Sequence, residues 1–198
     1  MPCYATNIGE KDWEFPALQW YHGGVAYCLQ NKLLTPGEDG TFGISETVTR
    51  GELAEVLWTM AGKPESGESR AFTDVPEELS AKAAISWAAE TGVITGYGGD
   101  TFAPQEAVTR QQLAAALWRF VGKPESTADL SVYIDAGKLS GYALPAARWA
   151  HETGIMTGTG ANALAPAMQV TRAQLAVTVW RVSQLPREEA AEETQQPA

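Results

Sequence analysis

Three arginines in this 198-residue chain share one local sequence. Arg50, Arg110 and Arg172 each end a Val-Thr-Arg triplet and open the segments VTRGELAEVLW, VTRQQLAAALW and VTRAQLAVTVW. A guanidinium stays charged and offers a planar fork of donors, so its chemistry is bidentate capture of a carboxylate or phosphate. In each copy a Thr precedes the Arg, and Glu52, Gln112 or Gln174 follows three residues after that Thr. That is the signature of a capping box, which starts a helix. Each Arg is then the first helical residue, where a cation faces the positive end of the helix dipole at a cost of about a few tenths of a kcal/mol. Unused backbone N–H groups at the helix mouth and the Arg fork could together grip an anion. Two plainer accounts are ancestry, in which a repeat copies a residue without a reason, and an ion pair with an Asp or Glu of a neighbouring repeat.

The elements that must place these arginines repeat with them. The arginines are 60 and then 62 residues apart, a period that marks three copies of one supersecondary unit. Repeat 1 aligns on repeat 2 from Tyr27, with Tyr27 on Trp87 and Phe42 on Phe102. Repeat 2 aligns on repeat 3, with Trp87 on Trp149, Gly96 on Gly158 and Trp118 on Trp180. Upstream, AFTDV with Asp74 matches VYIDA with Asp135 after a one-residue shift, and DWEFPALQWY is their weaker relative in repeat 1.

Each repeat reads as helix, loop, helix. The spacing of Ala84, Ile85 and Ala88 predicts a first helix near 81–91, with counterparts near 143–153 and 18–31; Gly92 and Gly154 stop two of them. A Gly- and Pro-bearing loop follows, pinned by Val93, Ile94 and Phe102. The second helices begin at Thr49, Thr109 and Thr171 and carry the stripes Leu53/Leu57/Met60, Leu113/Leu117/Phe120 and Leu175/Val179/Val182. Gly62 and Gly122 end two of them, and Pro64 and Pro124 bar resumption. One such repeat cannot bury two apolar faces alone, whereas three can around a common axis. The expected fold is all-α: three helix-loop-helix repeats with pseudo-threefold symmetry around a central helical core. The expected units are 1–64 (divergent), 65–124 and 125–185, with 186–198 an acidic disordered tail or linker.

Composition narrows the function. The net charge of −10 argues against a nucleic-acid binder and against attraction to an anionic membrane. No apolar run approaches the roughly 18 residues of a membrane span. The N-terminus MPCYATNIGEKDWEF lacks the pattern of a secretion signal, which suggests an intracellular chain, a mature form or a fragment. Cys3 and Cys28 are too few for a disulfide scaffold, and Cys28 reads most simply as a small buried residue. No spacing suits a metal or cofactor, His22 and His151 are not equivalent, and the Gly98-Gly99-Asp100 run lacks the Lys-Ser/Thr ending of a phosphate loop. An enzyme is not expected. Trp58, Trp118 and Trp180 read as packing residues. Trp87 and Trp149 suit either packing or a flat platform for a sugar ring.

The stretch FTDVPEELSAKAAISWAAETGVITGYGGDTFAPQEAVTRQQLAAALWRFVGKP closely resembles an S-layer homology repeat. The F-x-D-V opening, the A-I-x-W-A helix, the G-V/I-x-x-G turn, the T-F-x-P segment and the T-R-x-Q/E helix fall in the family's order. Repeat 3 matches well, with Leu164 in place of the usual Phe, and repeat 1 is the most divergent. The resemblance implies a pseudo-threefold unit that binds anionic, often pyruvate-ketal-bearing, secondary cell-wall polysaccharide in grooves between repeats. It would hold an exported protein non-covalently at the surface of Gram-positive-type bacteria. By position, Arg50, Arg110 and Arg172 would take the acidic group, and Trp87, Trp149, Gly96 and Gly158 would shape the grooves. Asp74 and Asp135 would bond sugar hydroxyls or orient an Arg. Repeat 1 departs from the pattern: Tyr27 replaces the Trp, Pro36 replaces the turn Gly, and the opening Asp is out of place. A groove using those positions is expected to be weak. The implied module is monomeric and part of a larger extracellular wall or S-layer protein, without nucleic-acid or membrane partners. The alternatives are a protein-interaction module that kept the fold without sugar binding and, further off, a wall-glycan hydrolase, which would need convergent carboxylates.

Overall fold

The computed structural model describes residues 19–67 and 72–186. Six α-helices follow in order: α1 His22–Gln30, α2 Arg50–Met60, α3 Lys82–Glu90, α4 Arg110–Phe120, α5 Leu144–Glu152 and α6 Arg172–Ser183. Those bounds fall within a few residues of the expected helices. Cys3 and nearly all of the acidic tail lie outside the described residues, as does DWEFPAL, most of the repeat-1 opening.

The three long helices start where the capping boxes require. Thr49 Oγ1 accepts from Glu52 N while Thr49 N donates to Glu52 Oε2 at 2.8 Å, and the same box forms at Thr109/Gln112 and Thr171/Gln174. Gly62 and Gly122 close α2 and α4 in the left-handed conformation, with φ of 84° and 90°. The indole N–H groups of Trp58 and Trp118 then donate to Pro64 O and Pro124 O at 2.9 and 2.8 Å. These tryptophans fasten the post-helix turn while partly covering the core.

The packed helix pairs cross repeat boundaries. α2 packs on α3, α4 on α5, and α6 returns to α1. Each second helix thus supports the first helix of the next repeat, and the third repeat closes on the first. Around the axis, Val108 N donates to Val48 O, Val170 N to Val108 O, and Val48 N to Val170 O, at 2.8, 2.8 and 2.9 Å. All three valines are buried, so the ring of amides lies in a dry centre where each bond is costly to break. One apolar cluster runs from Val25 to Val182 through all three repeats, and Val93, Ile94 and Phe102 join it as the loop anchors. Cys28 lies in this cluster as a free thiol, and burial pushes it up to about 12 against the opposing charge of Arg172.

The α1–α6 closure depends on small residues. A Cβ on Gly24 would stand 2.6 Å from Val177 N and 2.7 Å from Ala176 C, which are backbone atoms that cannot swing aside. Gly24→Ala should therefore destabilise the domain by about 2 kcal/mol in urea unfolding, the scale of overpacking. Gly137→Ala, where an added Cβ meets nothing within 4 Å, should stay within about 0.5 kcal/mol of wild type.

Candidate functional site

The helix-mouth N–H groups are already taken. Arg50 N donates to Glu106 O and Gly51 N to Pro104 O, both at 2.9 Å, so the loop of repeat 2 fills the mouth of α2. Met168 O and Pro166 O fill α4 in the same way, and Glu46 O and Ile44 O fill α6. The expectation of orphan donors waiting for an anion is thereby corrected. The neighbouring repeat satisfies them, as buried backbone groups demand.

The Arg side chains extend the same grip. Arg50 Nε donates to Phe102 O at 2.9 Å and Nη2 to Thr95 O at 2.8 Å. Arg110 clasps Leu164 O and Thr157 O, both at 2.8 Å, and Arg172 clasps Phe42 O and Thr35 O at 2.8 and 2.6 Å. Only 5, 8 and 7% of these three residues is exposed. Hydrogen bonds from a buried cation contribute about 1.5–3 kcal/mol each, so each Arg is a structural clasp between repeats before it is anything else. A Lys could not span both carbonyls.

The guanidinium has one more nitrogen, and there the three sites differ. Arg172 Nη1 meets Glu52 Oε1 at 3.0 Å, an ion pair between repeats. Among the described residues, Arg50 and Arg110 form no such pair. No buried side-chain nitrogen among those residues lacks a partner, so any Nη1 without one keeps contact with solvent; at Arg50 the Tyr97 side chain lies beside the guanidinium and favours its charged form. Burial lowers the pKa of both from the ordinary arginine value. Each is a partly desolvated cation with no direct ion pair, although Glu106 beside Arg50 and Asp135 beside Arg110 favour its charged form.

Arg50 opens onto a groove of about 290 Å³ that draws on all three repeats: Thr95, Tyr97, Gln112 and Arg119 from the second, and Tyr142 from the third. Tyr97 and Tyr142 are 50 and 48% exposed. The Arg50 Cζ stands 4.4 Å from the Tyr97 ring centroid, a cation–π contact, and Gln112 Nε2 donates to Tyr97 Oη at 2.7 Å. The groove therefore combines a cation, a second arginine and two flat amphipathic rings with hydroxyls, a donor set suited to an acidic sugar. Neither tyrosine stood out in the sequence, because Gly37 and Thr159 occupy the positions equivalent to Tyr97 in the other repeats.

The other candidates have inward roles. The Phe102–Ala103 peptide is held at both ends: Ala103 N donates to Asp74 Oδ2 at 2.6 Å, and Phe102 O accepts from Arg50. Phe102 N donates to Asp74 Oδ1. Asp135 does the same for the Leu164–Ala165 peptide under Arg110. The aspartates thus orient the arginines through one peptide unit, and that peptide carries Ala103 and Ala165 at φ of 59° and 50°. Gly96 and Gly158 make room for the opening aromatics, since an added Cβ would lie 2.9 Å from Phe72 and 2.6 Å from Tyr133. Trp87 and Trp149 are buried, which favours packing over the alternative of a flat sugar platform. Trp87 packs edge-on to Phe120, and Trp149 lines a cavity of about 770 Å³ among Met60, Phe120 and Val182 near the far ends of α2, α4 and α6.

Inter-repeat helix pairs and clasped arginines around a closed axis define a closed three-repeat module. A model of the S-layer homology domain family matches residues 16–54, 71–114 and 135–176. The matches cover more than half of the chain, and the chain belongs to that family. It is 30% identical over 146 residues to the surface-layer 125 kDa protein of Lysinibacillus sphaericus, covering 72% of this chain and 12% of that protein. It is 27% identical over 105 residues to S-layer protein EA1 of Bacillus anthracis, covering 52% of this chain and 12% of that protein. An uncharacterized cell wall amidase of the same organism is 28% identical over 115 residues, 58% of this chain and 22% of its own length. The chain thus spans a minor part of these relatives. Its family and relatives indicate a cell-wall or cell-surface location, and among the described residues no helix is long and apolar enough to cross a membrane.

Desolvation tends to raise the Asp74 carboxyl, but the N–H groups of Phe102 and Ala103 and the Arg50 charge outweigh it and hold it below the ordinary range. Its folded pKa is depressed, so the stability it supplies is full above the unfolded value near ~3.9 and is lost as pH falls through the lower folded value. Asp74→Asn should cost about 1.5 kcal/mol at pH 7. In denaturant unfolding across pH, that gap should close below pH ~4.

Proposed function

We propose that this chain is a non-covalent anchoring module that holds a larger surface protein on anionic secondary cell-wall polysaccharide. One observation carries the proposal: Arg50, 5% exposed, makes no direct ion pair among the described residues and stands beside a groove walled by Tyr97 and Tyr142. A carboxylate on the polymer supplies the missing charge, and the tyrosines take the sugar faces and hydroxyls. Arg110 holds two carbonyls with the same fork at the next repeat boundary. Two such arginines on one unit would suit a polymer, because a second contact forms at high effective concentration. A net charge of −10 makes long-range attraction unfavourable, so recognition is local. The units 1–64, 65–124 and 125–185 remain our division of the chain, although their helices pair across the boundaries.

We read the module as having no catalytic role. The match to the cell wall amidase covers 22% of that protein and does not bring its activity here. The alternative of a protein-interaction module gains support at Arg172 alone, where an internal carboxylate meets the cation.

Replacing Arg110 or Arg50 would disturb both fold and site, because each clasps two carbonyls. The groove tyrosines separate the two effects. Tyr97→Ala and Tyr142→Ala should each weaken retention on purified wall polymer about tenfold, while thermal unfolding shifts little. Unchanged retention in the double variant would contradict anchoring through this groove.

A further inference from the structure

A second arginine faces the groove of Arg50. Arg119 lines it from α4, as do Gln112, Ala115 and Ala116, which share one face at helical spacing. Seven residues of α-helix rise about 10 Å, so Gln112 and Arg119 mark opposite ends of that wall. The Gln112 end belongs to Arg50, because Gln112 donates to Tyr97 Oη and Tyr97 lies against the Arg50 guanidinium. Burial and Tyr97 push the Tyr142 hydroxyl up, while Arg119 and then Arg50 pull it down, so both charges act on one groove. We infer that this groove takes two acidic groups at once, a carboxylate at Arg50 and a second anionic substituent at Arg119. Its ligand is then a saccharide stretch bearing two negative charges. This rests on the anchoring proposal given above.

Arg119 is not spent on the fold. Its counterpart in repeat 3, Arg181, donates through Nη1 to Gly154 O and Ile155 O, both at 3.1 Å. The equivalent carbonyls for Arg119 are those of Gly92 and Val93, and it takes neither. Among the described residues Arg119 forms no hydrogen bond and no ion pair. In repeat 1 the same position is Thr59, whose hydroxyl turns back to Glu55 O at 2.7 Å. The last turn of a helix suits a cation, but the helix dipole does not ask that it line a groove with a second cation. Two like charges over a floor of Leu53, Val93 and Ile94 disfavour each other, and a pair of anions removes that cost. One carboxylate at Arg50 would leave Arg119 uncompensated. The distance along the wall suits two groups set apart on a chain, not the two oxygens of one carboxylate.

The test is retention of the full chain on purified wall polymer across a salt series, with thermal unfolding measured alongside. Arg119→Gln should weaken retention about tenfold, the scale of one charge-assisted hydrogen bond. Its retention should also fall less steeply with salt than that of wild type, because one of two ionic contacts is gone. Arg119→Lys keeps the charge and should keep the salt dependence and most of the retention. Lys32→Gln removes the same charge at an exposed site outside the groove and should change neither. The unfolding midpoint should move little in all three. If Arg119→Gln matches wild type in both readouts while Tyr97→Ala weakens retention, the second acidic contact is overturned and anchoring through this groove stands. If Lys32→Gln loses as much as Arg119→Gln, net charge explains the loss and the inference falls. If wild type itself is not retained, anchoring fails and the second contact goes with it.

Discussion

A guanidinium held between two carbonyls of the next repeat is the constraint on which this molecule depends. No repeat of about sixty residues can bury both of its helices alone, so the three must be locked to one another. The lock has three parts in series at each boundary: the neighbour's loop carbonyls fill the helix mouth, the Arg fork clasps two more of them, and the central valine amide bonds to the following valine. Every part crosses a repeat boundary, as do the packed helix pairs. Loss of one repeat would leave donors and acceptors stranded in the other two.

On the anchoring proposal, the same side chain has a second use. Two nitrogens of each Arg serve the fold; the third pairs with Glu52 at Arg172 and makes no ion pair at Arg50 and Arg110 among the described residues. A ligand arriving there meets a cation whose rotamer entropy was lost in folding, so little remains to be lost on binding. Asp74 and Asp135 strengthen this by gripping the far side of the peptide that each Arg grips. They need not touch a sugar to matter.

Much of the fold was legible from local sequence. The helix starts came from Thr and Glu/Gln at fixed spacing, the stops from Gly and Pro, and the closed array from the period of the Val-Thr-Arg triplets. The roles of the arginines were only half legible. Their position at a helix start could be read, but the carbonyls they clasp lie 45 to 137 residues away, and no local rule names them. Glu52 shows the same limit: its capping role is encoded three residues from Thr49, while its partner Arg172 is 120 residues off. Trp87 and Trp149 show the converse, since a large aromatic at helical spacing is core or surface according to what packs over it. Tyr97 and Tyr142 could not be found by aligning repeats, because they belong to the differences between them.

Symmetry at the axis and asymmetry at the rim therefore answer different demands. The axis must close, so its three valine amides and three arginines repeat with little change. On the anchoring proposal the rim meets a ligand, and there the arginines differ: Arg50 opens onto a groove with tyrosines, while Arg172 pairs with Glu52.

The most direct measurement is an experimental structure of the chain bound to an acidic saccharide from its wall polymer. The account predicts a ligand carboxylate oxygen within hydrogen-bond distance of Arg50 Nη1, with Nε and Nη2 still donating to Phe102 O and Thr95 O and the sugar ring against Tyr97. A saccharide bound away from Arg50, or an Arg50 that lets go of those carbonyls to reach it, would contradict the division of labour within the guanidinium.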